Sequence, residues 1–61
     1  MNRIVQILME RDGQDEKSAW QQYDFARECV EDAIASGDYF AVQDIMQTEL
    51  GLEEDYIFDL I

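Results

Sequence analysis

The apolar positions of the chain change rhythm along its length. Between Asp15 and Ser36 they are most regular. Ala19, Tyr23, Ala26, Val30 and Ala33 follow alternating intervals of four and three, the spacing that puts side chains on one stripe of a helix. One long central helix is therefore predicted over Asp15 to Ser36. Three of the five stripe residues are alanines, so a partner helix could approach closely. Trp20 and Ile34 widen the stripe on one flank. Asp24, Glu28, Glu31 and Asp32 point elsewhere and give the same helix an acidic side.

Before this helix, Ile4, Val5, Ile7, Leu8 and Met9 are apolar nearly all round. That pattern predicts a first helix, capped by Asn2, running to about Arg11 and buried on several sides. Asp12-Gly13 ends it, glycine supplying the positive φ that a helix C-terminus often needs. A strand over Ile4–Met9 would have no second β-rich run to pair with. After the central helix, Ser36-Gly37-Asp38 packs a stop and a start into three residues: Gly37 as the C′ residue, Asp38 as the next cap. A third helix is expected from Tyr39 to Leu50, with Val42, Ile45, Met46 and Leu50 on one side and Tyr39 joining them. Gly51 ends it, and Leu52 folds back on the last turn. A short fourth helix fits Glu53 to Leu60. Acids load its start, and Tyr56, Ile57, Leu60 and Ile61 form an apolar face that plugs the core. Without proline, repeats or a low-complexity tract, residues 1–61 read as a single domain. The expected class is all-α, a compact three-helix arrangement plus a short C-terminal fourth helix.

Size sharpens this picture. A chain of 61 residues buries only ~60% of its unfolded surface and is marginal alone. One cysteine, Cys29, rules out an internal disulfide, and with no histidine a zinc site is not indicated. What remains is good helix packing, oligomerisation or a partner. The apolar fraction of 48% argues against disorder despite the charge.

Charge adds a second constraint. Fifteen acids against four bases give −11. Arg3 and Arg11 balance Glu10 and Asp12, so the imbalance falls wholly after residue 14, where only Lys17 and Arg27 are basic. Direct binding to nucleic acid or an anionic membrane is disfavoured; a basic protein surface fits as a partner, and the alternative is that the acids simply keep a small protein soluble. No apolar run reaches membrane-spanning length and no leader pattern opens the chain, so a cytoplasmic protein is expected.

Chemistry in the ordinary catalytic sense is not signalled. No histidine exists to activate Cys29 or a serine, and Cys29 reads as a small buried filler. Nothing singles out one carboxylate pair. Asp12-Gly13-Gln14-Asp15-Glu16 lacks the ligand order of a calcium loop, and no metal or cofactor is expected. The acidic residues are the stronger signal. Asp24, Glu28, Glu31, Asp32 and Asp38, taken along one helix, would carry a charge every ~4 Å, close to the ~3.4 Å of a DNA strand. Such a line can compete for a groove built to hold nucleic acid. Phe25 lies off the apolar stripe and, with Gln22 and Cys29, marks a second side of the helix. Phe25, Tyr39, Phe40 and Phe58 are hard to bury together. They suggest aromatic anchors beside an acidic rim, or alternatively the working surface of a homodimeric adaptor. The alanine spacing suits a self-contact as well as an internal one.

The run Gly37-Asp38-Tyr39, Asp44-Ile45-Met46 and Glu49-Leu50-Gly51-Leu52-Glu53-Glu54-Asp55-Tyr56-Ile57 resembles small acidic helical proteins encoded by bacteriophages and prophages. The resemblance spans roughly residues 15–61 and rests on capping and helix positions. It departs from the pattern at Glu54, where a proline often follows the Leu-Glu step. It implies a phage-type accessory protein working in the cytoplasm of a bacterial host, and carries over no functional residue. Such proteins include anti-restriction and anti-CRISPR inhibitors, so an inhibitor using a nucleic-acid-mimicking acidic surface is the expectation to test.

Overall fold

The computed structural model describes residues 2–60. Four helices follow one another: α1 (Arg3–Asp12), α2 (Glu16–Ala35), α3 (Tyr39–Ile45) and α4 (Ile57–Leu60). A π-helical turn, Met46–Leu50, extends α3, and a 3-10 turn, Glu54–Tyr56, leads into α4. No strand occurs among the described residues, in keeping with the all-α class. The long dimension of the molecule, 33 Å, is set by α2, whose twenty residues rise about 30 Å. α1, α3 and the π turn pack against it, and α4 packs against α1.

The caps follow from the residues that precede each helix. Asn2 is extended, and its Oδ1 accepts from the backbone N–H of Ile4 at 2.8 Å and of Val5 at 3.4 Å. Asp15 accepts from Ser18 N at 2.8 Å, and Asp38 from Ala41 N at 3.2 Å. Each satisfies a donor that the first turn of a helix leaves orphaned. At the other end of α2, Gly37 takes φ +74°. Gly37 N donates to Ile34 O and Asp38 N to Ala33 O. These two bonds form a Schellman motif, so the chain reverses within the three residues that signalled it.

The core is a single cluster. Ile4, Val5 and Leu8 of α1 meet Ala19, Tyr23, Ala26, Val30 and Ala33 of α2; Val42, Met46, Leu50, Leu52 and Leu60 close the other side. All five predicted stripe residues of α2 are buried, and they are the buried residues of that helix. The alanines are covered by the chain's own helices. The sequence left a self-contact open for them, but this surface is already occupied within the monomer. Ile61, assigned to the same apolar face as Leu60, lies outside the described residues.

Two expectations are corrected. The third helix is not α-helical to Leu50 but widens to a π turn from Met46. Thr48 Oγ1 donates to the Asp44 carbonyl at 2.8 Å, a back-bond of the kind that bends helices, at the place where the helix widens. At the end of that turn Leu52 N reaches back six residues to Met46 O, two further than an α-helical bond. Tyr39 does not join the buried side of α3 but stands largely exposed. As the first residue of α3 its side chain leans toward the helix N-terminus, out beyond the corner where α2 has already ended.

Polar ties lock the layers. Arg11 donates from Nη2 to Leu50 O at 2.7 Å and from Nη1 to Gly51 O at 3.1 Å. The same guanidinium holds Asp12 through Nε and Nη2 at 2.8 and 2.9 Å. The fork crowds Gly51, where φ is +65° and an added Cβ would stand 3.2 Å from Arg11 Nη1. Asn2 Nδ2 donates to Asp59 O, and the Tyr23 hydroxyl to Leu60 O at 3.0 Å. One cap, one arginine fork and one core tyrosine thus fix the C-terminal part of the chain to α1 and α2.

Candidate functional site

On α2 the buried stripe fixes the orientation of everything else. At 3.6 residues per turn, Asp24, Glu28, Glu31 and Asp32 fall on the side opposite Ala19–Ala33, and all four are exposed. Asp24, Glu28 and Asp32 form one i, i+4, i+8 line, with Glu31 beside it. From Asp24 to Asp32 the helix rises about 12 Å, so the four carboxylates keep the ~4 Å spacing. Asp38 does not extend this line. It lies past the end of α2 and its carboxylate is engaged in capping α3. The predicted run of five charges along one helix is therefore four on α2 and one around the corner.

Little offsets this charge. The side-chain ion pairs among the described residues are Arg27–Glu31 at 3.0 Å and Arg11–Asp12 at 2.8 Å. Arg27 sits at the flank of the face next to Trp20. Lys17 stands about two turns before Asp24. No acidic residue is buried. Perturbed carboxylates occur elsewhere: Asp12 is held below the usual carboxylate range by its hydrogen bonds from Arg11, and Asp15 by the backbone N–H of Ser18. Both shifts belong to a tie and a cap.

Like charges three or four residues apart on a helix destabilise it by ~0.2–0.5 kcal/mol a pair. Asp24–Glu28, Glu28–Asp32 and Glu28–Glu31 are three such pairs, all meeting at Glu28. Their sum is about 1 kcal/mol against the helix, in a chain too small to be very stable.

The chain matches no protein-family model, no curated protein and no solved structure. Its own geometry carries the functional argument.

The aromatic residues fall into two sets. Trp20 is half covered, its ring edge-on to Tyr23 with centroids 5.2 Å apart, and Tyr56 lies under Arg3 at 4.9 Å. Phe40, Phe58, Tyr39 and Phe25 are 88, 84, 68 and 55% exposed. Phe25 flanks the acidic face of α2 as expected, while Gln22 and Cys29, assigned to the same side, border the core instead and are half-buried. Gln22 bonds to the Glu49 carbonyl and accepts from Gln14. Phe40 is the most exposed aromatic; its place at i, i+3, i+4 and i+7 with Gln43, Asp44 and Gln47 puts it on the outward stripe of α3. Among the described residues no three His, Cys, Asp or Glu side chains are grouped to hold a metal, and no helix is long and apolar enough to cross a membrane.

Proposed function

We propose that this chain is a non-enzymatic binding protein whose acidic α2 face occupies a basic, nucleic-acid-binding site on another protein. The carrying observation is the cluster of like charges at Asp24, Glu28, Glu31 and Asp32. A face serving solubility alone mixes both signs, whereas this one keeps three repulsive helix pairs and one flanking arginine. A surface that breaks the local charge rule with no packing gain supports a working role for that surface. A row of carboxylates at ~4 Å spacing offers a basic groove the charge density of a nucleic-acid strand. The resemblance to small phage proteins supports an inhibitor of the anti-CRISPR or anti-restriction type, acting in the cytoplasm of a bacterial host. The test is competition: labelled DNA on purified CRISPR effectors and restriction enzymes, titrated with this protein at low and high salt. Displacement that weakens steeply with salt supports the reading; no displacement from any of them at low salt overturns it.

A second reading is favoured by the four aromatics that are more than half exposed. In it the chain is an apolar adaptor, homodimeric or bound to one partner. Its affinity would survive high salt and drop on truncation of Phe25, Phe40 or Phe58.

A further inference from the structure

An exposed phenylalanine on the polar side of a short helix does nothing for the core. Val42 and Met46 supply the buried side of α3. Phe40 lies opposite them, among Gln43, Asp44 and Gln47, and these residues with Asp38 and Ala41 line one open depression at the corner after α2. An apolar ring standing free between two carboxylates suits a pocket that is apolar at its floor and cationic at its rim.

We propose that Phe40, flanked by Asp38 and Asp44, is the anchor by which this chain docks on a basic protein partner: the ring enters an apolar pocket, and the two carboxylates meet lysines or arginines around it. Charge selects this occupant. A second copy would bring Asp38 and Asp44 against a surface of the same sign on a chain of net charge −11, and an anionic membrane would repel it for the same reason. A cationic pocket attracts the rim and buries the ring. Central aromatics in such settings carry a large share of binding energy while the charged rim sets rate and register. The anchor rests on the reading of the chain as a binder of basic proteins, adding to the α2 face a specific apolar contact that nucleic-acid mimicry alone does not supply.

Two peptides of equal length and charge serve as probes: an amphipathic Lys/Leu helix, and a Lys/Ser sequence with no apolar face. The wild-type protein is expected to bind the Lys/Leu peptide ~10-fold tighter or more. Phe40→Ala should abolish that preference while leaving affinity for the Lys/Ser peptide unchanged, and Phe58→Ala should leave both as they are. The Phe40 ring is exposed, so the variant retains its fold; circular dichroism checks this. Equal affinity of wild type for the two peptides overturns the anchor, as does a preference that persists in Phe40→Ala. So does concentration-dependent dimerisation, in analytical ultracentrifugation, that Phe40→Ala removes. Combined reversal of Glu28, Glu31 and Asp32 to lysine reads the α2 face separately: it should weaken both peptides, and if it weakens neither, the functional reading fails whatever Phe40 does.

Discussion

The two faces of α2 obey opposite rules. The inner face, Ala19 to Ala33, is apolar, mostly small and buried along its whole length. The outer face, Asp24 to Asp32, is exposed and keeps like charges at the spacing where they repel. Four residues of mixed sign there would make a steadier helix. One face is shaped by the fold, and the other departs from what the fold alone would choose. That departure is the ground on which we propose that the outer face answers to something outside the chain.

Breaking the inner face should have the largest effect. Val30 has no exposure, and Val30→Asp buries a carboxylate with no partner. The cost, about 3–5 kcal/mol, is comparable with the whole stability of a domain this size. Far-UV circular dichroism should show the variant largely unfolded at room temperature; the same substitution at Gln21, on the outer face, should leave the spectrum intact.

The ties come next. Arg11→Ala removes the fork that holds the Leu50 and Gly51 carbonyls and should cost about 1–2 kcal/mol in urea unfolding. Arg11→Lys should recover only part, because an ammonium lacks the planar fork. A smaller effect is expected from pH. Asp12 and Asp15 have folded pKa values below their unfolded ones. Their stabilisation is present in full above the unfolded value of ~3.9 and is lost as pH falls through the folded pKa values. Melting temperature should therefore begin to drop as pH falls below about 4, and Asp12→Asn with Asp15→Asn should flatten that drop. A drop of equal size in the double variant would place the acid sensitivity elsewhere.

Much of the inner face was legible in the sequence. The five-residue stripe, the Asn2, Asp15 and Asp38 caps and the glycines at 13, 37 and 51 all depend on spacing and local backbone chemistry, which a linear sequence records. What was not legible depends on contacts distant in sequence. Nothing in the spacing of Arg11 announces the carbonyls of Leu50 and Gly51, forty residues away. The π turn coincides with the Thr48 back-bond and with the burial of Leu50 and Leu52, neither of which periodicity records, so periodicity alone extended the α-helix too far. Tyr39 was misplaced because a helical wheel ignores where the neighbouring helix ends. The acidic face was placed correctly on α2, but Asp38 was added to it by counting through a corner. Which aromatics stay exposed was undecided from composition, since the size of the core depends on how the helices pack.

The account turns on Glu28, where all three repulsive pairs meet. Glu28→Lys converts each of them into an attractive pair. Removing three repulsions and making three attractions should stabilise the protein by about 2 kcal/mol, a rise of about 8–16 °C in melting temperature for a chain near this size. In the same sample it should weaken displacement of DNA from a basic nucleic-acid-binding protein. A more stable protein that competes less well is the result predicted for a face kept acidic for binding. A variant that is more stable and competes as well as wild type would contradict the central claim and leave the acids of α2 a solvated surface.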